Sequence, residues 1–152
     1  MESAVLERPQ SDLTHKGASE VFELADKQPV LIKRRHDADQ VLLNAESYAG
    51  LLRFVQNLYL VTRALTKGPE RMVDIEGLHW TKLFDADERR TMLLELVEAA
   101  RASSERKDPA IFNATWKGWA HSAELMNDPA AMKALTAPVD ADATVALARP
   151  IG

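Results

Sequence analysis

The chain has 152 residues, of which 46% are hydrophobic and 28% charged, so it falls in the range of ordinary globular proteins. Its nineteen Lys and Arg residues are outnumbered by twenty-three Asp and Glu residues, so its composition lacks the overall basic charge of many nucleic-acid-binding proteins. Cysteine is absent, which excludes disulfides and thiolate chemistry and suits a reducing compartment. No apolar run reaches the roughly 20 residues of a membrane helix and no signal-peptide pattern begins the chain, so we expect a cytoplasmic protein with no membrane partner.

The N-terminal segment predicts a short strand followed by a helix. Ser3–Leu6 favours a strand that ends at Arg8-Pro9, and either Ser11 or Thr14 can cap the helix that follows. The helix has one apolar face, because four residues recur at helical spacing up to Asp26: Ala18, Val21, Phe22 and Ala25.

A β-hairpin is predicted next. The β-favouring runs Val30–Ile32 and Val41–Leu43 flank the polar turn His36–Asp39. Three consecutive cations, Lys33-Arg34-Arg35, directly follow the first run, so the hairpin carries positive charge near its tip.

A long amphipathic helix follows the hairpin and is stopped by Gly68-Pro69. Its apolar residues keep helical spacing for about five turns; they are Tyr48, Leu51, Leu52, Val55, Leu58, Tyr59 and Leu65. One short helix and one small hairpin cannot cover so long a stripe, and isolated hairpins are marginally stable. We therefore expect residues 1–67 to form a homodimer closed by a two-fold axis.

Residues 68–137 predict only helices. The segment from Arg71 to Phe84 fits neither the helical nor the strand period. Asp85 with Glu88 has the form of a capping box before a helix that ends at a polar loop, Ser103–Lys107. Asp-Pro pairs at Asp108 and Asp128 then mark the starts of two further helices, and we expect the tail of residues 138–152 to be mobile.

The hairpin region resembles the prevent-host-death (Phd/YefM) antitoxins of bacterial toxin–antitoxin systems. The family's proline-initiated apolar strand ending in a cation is similar to Pro29–Arg34, and its apolar strand with an "S-x-E-x-Y-x-x-L" helix entry is similar to Val41–Leu51. A C-terminal pattern of the family, "A-x-x-L-x-x-P" and a short helix, is similar to Ser122–Leu135.

The resemblance implies a fold class of α+β: a small N-terminal domain of short strand, helix, β-hairpin and long helix, followed by an all-helical extension. Three features depart from the family pattern. Lys33 replaces a hydroxyl residue, the turn His36–Asp39 lacks the usual Gly or Asn, and roughly residues 53–120 stand where ordinary members have only a few residues.

The resemblance also implies operator DNA as a partner, with contacts from Lys16, Lys33, Arg34 and Arg35. Cations at such positions bind phosphates, whereas sequence reading needs a side chain at the base edges, a role we assign to Arg34. Composition alone favours a simpler interpretation, in which these cations are a solvated strand end.

A cognate toxin protein is the second partner that the resemblance implies, bound by the helical extension. The candidate contacts are Trp116, Trp119, Leu125, Met126, Met132 and Leu135. The competing interpretation places Trp116 and Trp119 in a core, packed on the helix of Met92–Ala100, because aromatic residues at helical spacing form ordinary core faces.

No catalytic constellation, metal-ligand spacing or phosphate-binding loop occurs in the sequence, so we expect neither enzymatic activity nor a cofactor. The first functional hypothesis is a dimeric antitoxin that binds its own operator and neutralises a co-encoded toxin through its C-terminal helices. The alternative is a stand-alone dimeric transcriptional regulator, or a structural protein, whose helical extension is a folded module that binds no toxin.

Overall fold

A computed structural model describes residues 5–15 and 17–137 of the chain. The protein is mixed α+β and mostly helical, with one small three-stranded sheet. The sheet and its helices are β1 (Leu6–Pro9), α1 (Ser11–Thr14), α2 (Ala18–Ala25), β2 (Val30–Lys33) and β3 (Gln40–Leu42). The helical part consists of α3 (Ala45–Lys67), 3-10 turns at Met72–Asp74 and His79–Leu83, α4 (Ala86–Arg106), α5 (Ala110–Met126) and α6 (Pro129–Thr136).

The sheet has the strand order β1-β2-β3. β1 pairs in parallel with β2, with Leu6 opposite Val30, and β2 pairs antiparallel with β3, with Val30 opposite Leu42. The hairpin of β2 and β3 agrees with the sequence-based prediction. Ser3 and Ala4 of the predicted first strand lie outside the described residues; the strand that the structure describes starts at Leu6 and continues through Arg8-Pro9.

A small core lies between the sheet and α2. Its four fully buried residues are Val21, Ala25, Val30 and Ile32. The predicted apolar face of α2 is only partly right, because Phe22 is exposed while Val21 and Ala25 point at the sheet. This core is too small to stabilise a separate domain by itself.

α3 connects the sheet to the helices. Asn44 caps it: its side-chain oxygen accepts from the Ser47 N–H at 2.8 Å, and its Nδ2 donates to the Asp26 carbonyl at the end of α2. Gly68 ends the helix with a φ of 89°, a left-handed value that glycine adopts without strain. The predicted helix, with its end at Gly68-Pro69, is therefore confirmed.

The larger core belongs to the helices. One face of α3, including Val61 and Ala64, packs with α4, α5 and the 3-10 turns around the fully buried Phe112. The segment of residues 71–84, which lacked a clear period, forms the two 3-10 turns and buries Met72, Ile75 and Leu78.

The helix starts in this half follow the sequence signals. Asp85 and Glu88 form the reciprocal capping box, and the Asp128 side chain caps α6. The polar loop expected at Ser103–Lys107 is wrong, because α4 continues to Arg106 and ends where Lys107 takes a left-handed φ of 54°. Ser103 is buried instead, and its hydroxyl accepts from the Phe112 N–H.

Candidate functional site

The turn between β2 and β3 brings three of the predicted DNA-binding residues together. Lys33 ends β2, and Arg34 and Arg35 begin the connection that leads to β3 at Gln40. We call Lys33–Asp39 the hairpin tip. Lys16, the fourth predicted DNA contact, lies outside the described residues.

Two carboxylates of the hairpin tip bind two of its cations. Asp39 Oδ2 lies 2.8 Å from Lys33 Nζ, and Asp37 Oδ2 lies 2.6 Å from Arg34 Nη2. Arg35 is exposed and has no ion pair within the part of the chain that the structure describes. The three cations therefore differ in how freely an external anion can reach them.

Asp39 also holds the backbone of the turn. Its Oδ1 accepts a hydrogen bond of 3.0 Å from the Arg34 backbone N–H, so one side chain bridges the two ends of the connection. The hydrogen bond from Lys33 and the N–H of Arg34 hold the pKa of the Asp39 carboxyl below its usual value, and the same contact with Asp39 raises the pKa of Lys33.

Arg34, which we predicted to read base edges, is the most enclosed cation of the hairpin tip. Its side chain is 26% exposed, and its Nε is buried without a hydrogen-bond partner in the described structure. A base contact by Arg34 would require the guanidinium to leave Asp37. Arg35 is exposed and, within the described structure, is the cation of the tip that no carboxylate holds.

A cleft of about 430 Å³ lies next to the hairpin tip. Its lining includes the hydroxyl residues Ser11 and Thr14, the cations Lys33 and Arg35, and the carboxylate residue Asp37. Hydroxyl donors together with cations are the groups that proteins commonly use to contact phosphate. The cleft thus presents groups that can contact an anion beside one carboxylate that would repel it.

The second candidate surface is the solvent-facing stripe of α3. Tyr48, Leu52, Val55 and Tyr59 recur along it and are 44–62% exposed. They lie opposite the face that carries Val61 and Ala64 into the helical core. We call these four residues the α3 stripe; no other part of the described chain covers it.

The predicted toxin-binding residues divide into two groups. Trp116 and Trp119 are partly buried against the larger core: Trp116 packs edge-on to Trp80 at 5.9 Å between ring centroids, and Trp119 edge-on to Phe84 at 5.2 Å. The other four residues lie at the end of α5 and on α6, and α6 packs mainly against α5. They are Leu125, Met126, Met132 and Leu135. Leu135 is the most exposed of them, at 68%.

The packing of the two tryptophans agrees with the interpretation that they are core residues. Trp119 Nε1 donates to Glu95 Oε2 of α4 at 2.8 Å, so even its polar atom is used inside the chain. Any partner surface is therefore better sought on α6 than on the tryptophan face.

Sequence reasoning missed Asp37 and Asp39. The sequence does show opposite charges at the two ends of a short turn, but which cation each carboxylate binds depends on how the turn folds.

Among the residues that the structure describes, no cluster of His, Cys, Asp and Glu could hold a metal ion, and no helix is long and apolar enough to cross a membrane.

Comparisons with protein-family models, curated proteins and solved structures find no match to this chain.

Proposed function

We propose that the chain is a dimeric, DNA-binding antitoxin of the Phd/YefM type, with a helical module inserted between its DNA-binding region and its toxin-binding end. The observation that carries the proposal is the cationic hairpin tip, which connects β2 to β3 shortly before a long helix. The order of strand, helix, hairpin and long helix over residues 6–67 supports it further.

The dimer is supported by the α3 stripe. Four large apolar side chains on one side of one helix form the kind of contiguous patch that marks a protein interface. The small core under the sheet, with four fully buried residues, gives a second reason for a partner chain. A two-fold axis near α3 would cover both stripes.

The toxin-binding role belongs to α6 and the end of α5 in this proposal. α6 has no fully buried residue, and Met126 and Leu135 expose apolar surface there. A short amphipathic helix with uncovered apolar residues is suited to a groove on another protein.

The experiment is co-expression with the products of the adjacent reading frames. The proposal expects one small neighbour to inhibit growth when expressed alone, to be neutralised by this chain, and to co-purify with it. In parallel, the purified chain should retard the duplex that spans its own promoter. Failure of the co-expression assay would refute the antitoxin role, and failure to retard the promoter duplex at low salt would refute the DNA-binding role.

A second candidate function is a stand-alone dimeric regulator whose helical part binds no toxin. The observation in its favour is the larger core, in which Trp116, Trp119 and Phe112 are used for packing within the chain. This candidate expects promoter binding without any neighbour that is neutralised. The two functions therefore differ in the co-expression result alone.

A further inference from the structure

Two of the three cations in the hairpin tip are already bound by carboxylates of the same turn. The Lys33–Asp39 and Arg34–Asp37 pairs have nitrogen–oxygen distances of 2.8 Å and 2.6 Å. With three cations and two carboxylates, the tip has a formal charge of +1 rather than +3, His36 being counted as neutral.

Carboxylate and phosphate oxygens bind ammonium and guanidinium groups with the same short, charge-assisted geometry. Asp37 and Asp39 thus occupy the positions around Lys33 and Arg34 that a phosphate would need. Both ion pairs are solvent-accessible, and exposed pairs of this kind contribute little free energy, so an incoming phosphate can displace them.

We infer that Asp37 and Asp39 are positioning residues that hold Lys33 and Arg34 in place of a phosphate, and that a nucleic-acid backbone displaces them when it binds. The inference rests on the proposed DNA-binding function and specifies how the hairpin tip is regulated. Its consequence is that the two carboxylates weaken nonspecific binding, since every phosphate contact must first break an existing ion pair.

The two carboxylates can be tested separately because their contacts differ. Asp37 binds only the Arg34 side chain, so Asp37→Asn weakens that ion pair and leaves the backbone of the turn unchanged. Asp39 also accepts from the Arg34 N–H, and Asp39→Asn keeps an oxygen for that bond while it removes the charge beside Lys33. Both variants are therefore expected to fold.

The expected effect follows from the ion pair that a phosphate must break. An exposed pair of this kind is worth at most a factor of about five in an equilibrium constant, and a carboxylate freed by displacement attracts a cation, which offsets part of the counterion release of about 0.9 per phosphate contact. Asp37→Asn alone should thus bind DNA up to about fivefold more tightly at low salt, and the double variant should show the larger gain and the steeper slope.

The experiment measures binding of the full chain to a short DNA duplex of unrelated sequence by fluorescence anisotropy over a series of salt concentrations. The proteins are the natural chain, Asp37→Asn, Asp39→Asn and the double variant. The matched control is Glu70→Gln with Glu76→Gln, which changes the net charge equally at two exposed positions in the helical half. Thermal melting establishes that each variant is folded.

Tighter binding and a steeper salt slope in the tip variants, with neither change in the charge control, is the expected result. A natural chain that fails to bind while the double variant binds supports the inference equally. If the natural and variant chains bind DNA with the same affinity and salt slope, the inference is overturned and the DNA-binding function stands. The same holds if the charge control gains as much affinity as the tip variants. If no protein binds this duplex at the lowest salt, the inference fails, while the proposed DNA-binding function is decided separately by the promoter duplex.

Discussion

Trp119 of α5 and Glu95 of α4 are joined by a hydrogen bond of 2.8 Å from the indole Nε1 to the carboxylate Oε2. The same indole packs edge-on against Phe84, so it connects α5 to both the α4 helix and the segment before it. Trp119→Ala should lower the free energy of unfolding by about 2–3 kcal/mol, less than the roughly 3–5 kcal/mol of a fully buried aromatic because Trp119 is only partly buried. Chemical denaturation of the isolated chain measures the change.

Two milder substitutions separate packing from hydrogen bonding at this site. Trp119→Phe keeps an aromatic ring against Phe84 and loses the indole N–H, whereas Glu95→Gln keeps an acceptor oxygen. We expect each to cost on the order of 1 kcal/mol or less. If Trp119→Ala left the free energy of unfolding unchanged, Trp119 would not be a core residue, and a role in partner binding would be favoured.

Local signals in the sequence were sufficient to place most helix boundaries. Asp85 with Glu88 and Asp128 with Pro129 specify helix starts through side-chain contacts within three residues. The end of α4 was misplaced because polar Ser103 and Ser104 read as a loop, although Ser103 is buried and bonded to Phe112 nine residues later. A contact of that range leaves no periodic trace in the sequence.

The candidate site was predictable only in part for the same reason. The position of three consecutive cations after a strand is a local feature, and the sequence located it correctly. Which cation remains free depends on Asp37 and Asp39 folding back across the turn. Similarly, the spacing of aromatic residues in α5 marked an apolar face, but only the packing of Trp80 and Phe84 showed what covers it.

The α3 stripe should be required for dimerisation. Val55→Glu places a charge at the centre of the exposed apolar surface and is expected to convert the dimer to a monomer, since burying an unpaired carboxylate is strongly unfavourable. Size-exclusion chromatography with light scattering at micromolar concentration checks the mass. Gln56→Glu, at the neighbouring exposed polar position on the same helix, is the matched control and should remain dimeric. A natural chain that is monomeric would contradict the dimer directly.

The capping box should stabilise α4 measurably. Asp85→Ala removes the acceptor of the Glu88 N–H, which lies 2.8 Å from the carboxylate, and should cost about 1 kcal/mol. Asp85→Asn keeps a good capping oxygen and should cost clearly less. The melting temperatures should fall in the order natural chain, Asp85→Asn, Asp85→Ala. If all three chains melted at the same temperature, the cap would not be needed for stability.

Without a bound nucleic acid, the contacts of Asp39 in the hairpin tip should be lost only in acid. The pKa of Asp39 is held below its ordinary value of 3.8, so its contribution to the turn is fully present above that value and is lost as pH falls through the depressed folded-state pKa. The Arg34 amide resonance, whose N–H is bonded to Asp39, should therefore titrate below pH 3.8 in nuclear magnetic resonance spectra. Asp39→Asn should abolish that titration. An Arg34 amide that shifts at or above the ordinary value would argue against the contact.

The final prediction concerns where a partner-binding segment can be removed. Deletion from Pro109 onward would take Phe112 and Ala123 out of the larger core, so loss of function would reflect unfolding. Deletion of residues 127–152 removes α6 and leaves in place every fully buried core residue that the structure describes. We expect this shorter chain to keep its dimer, its melting temperature within a few degrees and its promoter binding, and to lose neutralisation of a co-encoded toxin.

A point variant provides the test without truncation. Leu135→Glu introduces a charge at the most exposed apolar position of α6 and should weaken toxin binding by tenfold or more, because hot-spot residues at interfaces contribute about 2 kcal/mol each. Lys133→Gln, at an exposed polar position of the same helix, lowers the net charge by the same one unit and is the matched control. Isothermal titration of the purified toxin into each variant measures the affinities. If Leu135→Glu bound as tightly as the natural chain while Trp116→Ala, still folded, did not, the partner surface would lie on the tryptophan face instead.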